Sequence, residues 1–268
     1  MRTGLQWNGS GFMQKKAWTY TMAGTVCAAV VVIFRWLQVQ TVFDEETGLP
    51  TLHAPLTTML VAVLLAVAAL LWWLSGRMNA DHAPEEPEEA FAVAHRETEW
   101  LLVAVEAVAA LGSVYLFFTE DGTLMKAAAL LGLLSAPVLA VMPQLPKWGG
   151  FGAALSVIPV IFYSLWLVVY YKNNAANPIL WSYGMEILAI AMCLLAVFRL
   201  SAHLFYRAKP RRTIFACMLA LVTSLATLTD SASLGLRVVL GGWGIGCAVM
   251  CWILIHNFAL PEPEEEDY

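Results

Sequence analysis

The stretch PLTTMLVAVLLAVAALLWWLS, residues 55–75, contains no charged side chain. It does not alternate apolar and polar positions, as a strand of a lipid-embedded barrel does over about ten residues. Its length matches the about 20 apolar residues an α-helix needs to cross the hydrocarbon. Seven further stretches share this character: 17–39, 99–119, 123–145, 151–172, 178–206, 212–231 and 234–258. The expectation is eight transmembrane helices.

Composition supports that reading. The chain has 268 residues, 60% hydrophobic and 13% charged, whereas soluble domains are about half apolar and a quarter charged. Too few polar side chains are present to cover a water-facing surface, and a disordered chain needs low hydrophobicity. The predicted fold class is therefore an all-α integral membrane protein: a single bundle over residues 1–260, an acidic tail over 261–268, and no sizeable soluble domain. Lys15 and Lys16 precede the first span, but its apolar run is too long for a secretory signal and has no small-x-small cleavage site before Arg35. Cys27 lies within that run rather than after it, so the lipoprotein pattern is absent. The first span reads as an uncleaved anchor.

Lys and Arg placement sets the orientation. With a cytosolic N-terminus, Arg2, Lys15, Lys16, Arg77, Arg96, Lys147, Arg199, Arg207, Lys209, Arg211 and Arg212 fall inside, and Arg35, Lys126, Lys172 and Arg237 outside. This bias predicts an N-in, C-in bundle in a plasma membrane. The internal loop 77–99 is then cytosolic. Its second half, Glu88 to Glu99, mixes Phe91 and Val93 with charges and predicts a short interfacial helix. The outer loop Phe43 to Pro50 reads as a solvated turn or a lid.

Polar groups inside spans are the pointers to function, because each ionisable side chain costs about 2.5–3.5 kcal/mol at a helix centre. Glu186 lies about two turns into the sixth span from the outer side, and Arg35, Asp230 and Arg237 stand at comparable depth. Thr223, Thr227 and Asp230, spaced by four and three, share one face of the seventh helix. Together these six residues, with Ser182 and Tyr183 beside them, outline an outward-facing polar pocket suited to a small polar or zwitterionic solute. The structural alternative is that the hydroxyls bond their own backbone and the charges form an ion pair. Glu106, two turns into the third span from the inner side, is a candidate proton site, with His203 or Arg199 as candidate partners. Pro137, Pro159 and the run Gly241 to Gly246 are candidate helix breaks of the kind that expose backbone to a cavity.

Other chemistries find no support. The chain has no HExxH zinc helix, no GxSxG elbow and no nucleotide-binding loop. All five cysteines lie in apolar runs, which argues against a disulfide framework. No basic cluster is interleaved with aromatics, so nucleic acid is not an expected partner. Neither a metal nor a cofactor is expected, and the chain reads as non-enzymatic. Besides lipid, the candidate partners are a small polar solute and a protein at the cytosolic face. The first functional expectation is accordingly a small-solute permease or substrate-binding membrane component. The second is a non-catalytic anchor or regulatory subunit using the 77–99 loop, the Arg207–Arg212 loop and the acidic tail. The orientation is directly testable: alkaline phosphatase fused after Tyr268 stays inactive, and a fluorescent protein fused there is bright. The reverse pattern disproves N-in, C-in.

Overall fold

A computed structural model describes residues 9–42, 55–77, 84–93, 95–177, 179–230 and 233–257, with side chains from residue 18 onward. The outer loop Phe43 to Pro50 and the tail 261–268 lie outside the described residues. Ten α-helices occur among the described residues: α1 (Gly9–Val42), α2 (Pro55–Gly76), α3 (Pro87–Ala90), α4 (Arg96–Thr119), α5 (Thr123–Ala140), α6 (Gly149–Leu155), α7 (Val157–Asn174), α8 (Gly184–Leu204), α9 (Pro210–Ala226) and α10 (Leu234–Asn257). Short 3₁₀ segments at Met142–Trp148, Leu180–Ser182 and Thr227–Thr229 connect them. Eight segments are long and apolar enough to cross a membrane, the fifth being the composite Met142–Asn174. The chain is a multi-pass membrane protein. "Inner" and "outer" below follow the Lys and Arg distribution.

The span Leu234–Asn257 is the most buried and Pro55–Gly76 the least. α10 packs against α4, α9 and α1, and α9 against α8, α1, α2 and α10. α5 and α7 complete the far side, α5 touching α4 and α7, and α7 touching α8. The outward faces carry Leu65, Leu111, Phe118 and Val168, all widely exposed. Such faces are untenable in water and ordinary in lipid. Trp18, Trp72, Trp73, Trp100 and Trp148, toward the inner ends of their segments, are exposed, as is Trp36 toward the outer side. The Arg77 guanidinium lies 3.8 Å from the Trp73 ring centre.

Two of the three expected helix breaks are absent. α5 runs through Pro137 to Ala140, and α10 is continuous across Gly241 to Gly246. Those glycines serve close approach instead. A Cβ on Gly242 would stand 3.1 Å from the Ala109 methyl of α4, and one on Gly244 2.8 Å from Ser224 Cβ of α9. Close helix approach through small residues replaces the hydrophobic drive that lipid cannot supply. The third break is present just before Pro159: α6 ends at Leu155 and α7 begins at Val157. Ser201 Oγ of α8 donates to the Ser156 carbonyl at 2.8 Å, satisfying an acceptor left free by the break.

The segment between α2 and α4 departs from its expected form. Instead of an interfacial helix over 88–99, α3 is a single turn, and Phe91 after it is fully buried. Its ring meets the His203 imidazole edge-on at 5.8 Å. Asn257 Nδ2 donates to the Ala90 carbonyl at 2.9 Å and to the Ala92 carbonyl at 2.7 Å. The apolar side chain turns inward because the end of α10 offers both a donor and a packing surface. His203 is correspondingly buried, and its Nε2 lies 3.0 Å from Thr213 Oγ1.

The packing predicts opposite results for two alanine substitutions. A Cβ on Gly112 would lie 2.9 Å from both Val238 Cγ1 and Val239 Cγ2, whereas one on Gly150 meets nothing within 4 Å. Gly112→Ala lowers the thermal midpoint in detergent, with overpacking costing about 1–3 kcal/mol. Gly150→Ala leaves that midpoint unchanged or raises it.

Candidate functional site

At the outer side the side chains converge on Arg35. α1 carries it inside the bundle, where it is 1% exposed. A guanidinium has its donors in a fixed planar fork, and here each of its three nitrogens is used. Nε donates to Asp230 Oδ1 at 2.5 Å, Nη1 to Gln38 Oε1 at 2.6 Å, and Nη2 to the Trp181 carbonyl at 3.1 Å. Gln38 in turn donates from Nε2 to Thr57 Oγ1 of α2 at 3.0 Å. One cation thus ties α1, α2, the 3₁₀ turn before α8 and the end of the α9 chain together.

Asp230 can reach Arg35 because the seventh span does not stay α-helical. α9 ends at Ala226, a 3₁₀ turn covers Thr227–Thr229, and Asp230 is extended. Glu186 sits in the first turn of α8, where the positive end of the helix dipole favours a carboxylate. It is 1% exposed, and its carboxyl lies within electrostatic reach of that of Asp230. Arg237 of α10 lies within electrostatic reach of Asp230. Four of the six predicted pocket residues are therefore neighbours: Arg35, Glu186, Asp230 and Arg237.

The two threonines have a different role. Thr223 Oγ1 donates to the Leu219 carbonyl at 2.9 Å, and Thr227 Oγ1 to the Ser224 carbonyl at 2.7 Å. Their hydroxyls are spent on the backbone of their own chain, which is the structural alternative the spacing left open. Ser182 and Tyr183 likewise bond within the 177–183 loop, to the carbonyls of Ile179 and Asn177. Gln38, Thr57 and the Trp181 carbonyl were missed from sequence. Gln38 had a signal, standing three residues after Arg35 on the same helical face.

The quartet is closed and balanced in formal charge, yet not fully satisfied. Among the described residues, the buried atoms Glu186 Oε2, Asp230 Oδ2 and Arg237 Nε have no hydrogen-bond partner. Two acceptors and one donor there thus lack a partner among the described residues, a condition native structures seldom tolerate.

A second polar locus lies deeper. Glu106 of α4 is 2% exposed, and its Oε2 has no partner among the described residues. A Cβ on Gly246 of α10 would stand 2.6 Å from Glu106 Oε1, so that glycine forms the notch holding the carboxyl. Tyr163, Cys193 and Cys247 are the titratable groups within electrostatic reach of it. Neither His203 nor Arg199, the expected partners, pairs with it: His203 bonds Thr213, and Arg199 lies over the Phe198 ring.

No group of three or more His, Cys, Asp or Glu side chains among the described residues has metal-binding geometry. Comparison with family models, with curated proteins and with solved structures gives no match.

The network predicts asymmetric mutant effects. Arg35→Met leaves Asp230 buried without its cation and lowers stability in detergent by about 3–5 kcal/mol. Adding Asp230→Asn recovers part of that loss, so a double-mutant cycle over thermal midpoints returns a favourable coupling between the two positions. Additive losses would show that the ion pair contributes nothing.

Proposed function

We propose that the chain is a small-solute permease, or the substrate-binding component of one, in a plasma membrane. Its solute is a small molecule carrying both a cationic donor and an anionic acceptor. The observation that supports this most directly is the set of unpartnered atoms in the outer quartet. The gap between the Glu186 and Asp230 carboxyls lacks a donor, which an ammonium group would supply. Arg237 Nε lacks an acceptor, which a carboxylate would supply. A zwitterion of amino-acid size satisfies both requirements at once and leaves the formal charge of the site unchanged.

Two further features agree with the reading. The quartet is assembled from the ends of separate segments rather than from one rigid helix, and a helix N-terminus and a 3₁₀ break border it, as at binding sites built on discontinuous helices. The Arg35–Asp230 pair joins α1 to the extended residue after α9, so breaking that one contact would let solute in from the outer side.

Ligand-induced stabilisation tests the proposal across solute classes. The purified protein is heated with a panel of zwitterions, simple cations, simple anions and neutral polyols, each at high concentration. A zwitterion raises the thermal midpoint, the stabilisation being about 2.7 kcal/mol at a hundred times its dissociation constant. Glu186→Gln abolishes that shift and the corresponding uptake into expressing cells while the variant still elutes as a monodisperse species. A shift produced only by cations, or one unaffected by Glu186→Gln, contradicts the assignment.

A further inference from the structure

We propose that Glu106 is an exchangeable proton site at the middle of the bundle, connected to the outer face along the polar side of α9. This goes beyond the solute site at the quartet, which it meets only at the outer end of the route.

Depth comes first. Glu106 is ten residues from the inner start of the 24-residue helix Arg96–Thr119, or about 15 Å along the axis at 1.5 Å per residue. The first turn of that helix, Arg96 to Glu99, is charged, so the carboxyl lies well inside a hydrocarbon layer about 30 Å thick, on its inner half. Among the described residues no hydrogen-bond donor reaches its Oε2, and an unpaired charge there is costly. The groups facing it from the surrounding helices are Tyr163 of α7, Cys193 of α8, and Cys247 with Gly246 of α10. None of these is a cation. Tyr163 Oη is itself buried without a partner among the described residues. Two unpartnered polar atoms thus occur at one depth, on helices that meet at the same interior.

Connection to the outside follows from the face of α9. Thr213, Cys217, Ala220, Ser224 and Thr227 are spaced by four, three, four and three, which keeps them on one side of the helix. The stripe alone would be a packing face, but two of its members are joined to the surroundings of Glu106. Cys193 Sγ lies 3.2 Å from Ser224 Oγ, and Cys217 lies within electrostatic reach of Cys247. From Ser224 outward, Thr227 in the 3₁₀ turn and the extended Asp230 follow at intervals of three residues, and Asp230 lies within electrostatic reach of Glu186. Inward, the His203–Thr213 pair is covered by the fully buried Phe91. The outer route is therefore the one lined by hydroxyl and carboxyl side chains.

A hydrophobic carbodiimide tests the site without any solute, so the outcome is independent of the quartet's role. The acid O–H adds across one N=C bond of dicyclohexylcarbodiimide. The carboxyl oxygen bonds the central carbon and the proton passes to nitrogen, giving an O-acylisourea that rearranges to a stable N-acylurea. Only the protonated carboxyl enters this reaction. Right-side-out vesicles of expressing cells are labelled with the inner pH clamped and the outer pH varied, and the Glu106 peptide is quantified by mass spectrometry. Labelling is expected at Glu106 and absent there in E106Q. Its rate falls about ten-fold for each unit of outer pH once titration begins. Absence of label at Glu106 in the wild type overturns the proposal. So does a rate indifferent to outer pH, which would mark a proton locked in place for structure.

Discussion

The constraint on which the architecture turns is the presence of the Arg35 guanidinium inside a lipid-embedded bundle. A buried cation must be neutralised, and its remaining donors must be matched, or the desolvation penalty dominates. Three partners accomplish this from three places in the chain: Asp230 after α9, Gln38 on the same helix, and the carbonyl of Trp181 in the turn before α8. The demand explains local features that otherwise look unrelated. The α9 helix gives way to a 3₁₀ turn and an extended residue so that Asp230 can reach inward. α2, the most lipid-exposed span, is tied to the cluster through Thr57.

Against this well-matched cation, the unmatched atoms stand out. A bundle that supplies three acceptors to one arginine leaves Glu186 Oε2, Asp230 Oδ2 and Arg237 Nε without partners a short distance away. Structure alone would have been served by a simple ion pair, or by apolar residues of equal volume. Excess polarity of both signs at a closed but jointed place is what a transient partner would use. The same reasoning separates Glu106 from Thr223 and Thr227. The threonines consume their hydroxyls locally, whereas the Glu106 carboxyl is given space by Gly246 and no partner.

Much of this was legible in the chain because lipid makes sequence patterns simple. Spans such as 55–75 must satisfy their backbone within the segment, so length and apolarity alone identify them. Arg35, Glu186, Asp230, Arg237 and Glu106 could be nominated because charges in hydrocarbon are rare and expensive. The same patterns were uninformative about direction. Spacing placed Thr223 and Thr227 on the face of Asp230 but could not say that their hydroxyls turn back to their own carbonyls. Glycine and proline read as breaks, yet α5 passes through Pro137 and α10 through Gly241 to Gly246 without interruption. Whether such a residue ends a helix depends on what the neighbouring helix offers.

The sequence by itself determined the number of crossings and the short roster of costly residues, since each follows from transfer free energies that act residue by residue. Only the tertiary structure decided which of those residues meet. It brought Asp230 to Arg35 across 195 positions of chain and set the Glu106 carboxyl against Gly246. It also turned Phe91 inward onto His203. Such pairings arise from helix packing in a medium that gives no hydrophobic drive, where small residues and matched polar groups choose the neighbours. That choice is collective, and no single segment contains it.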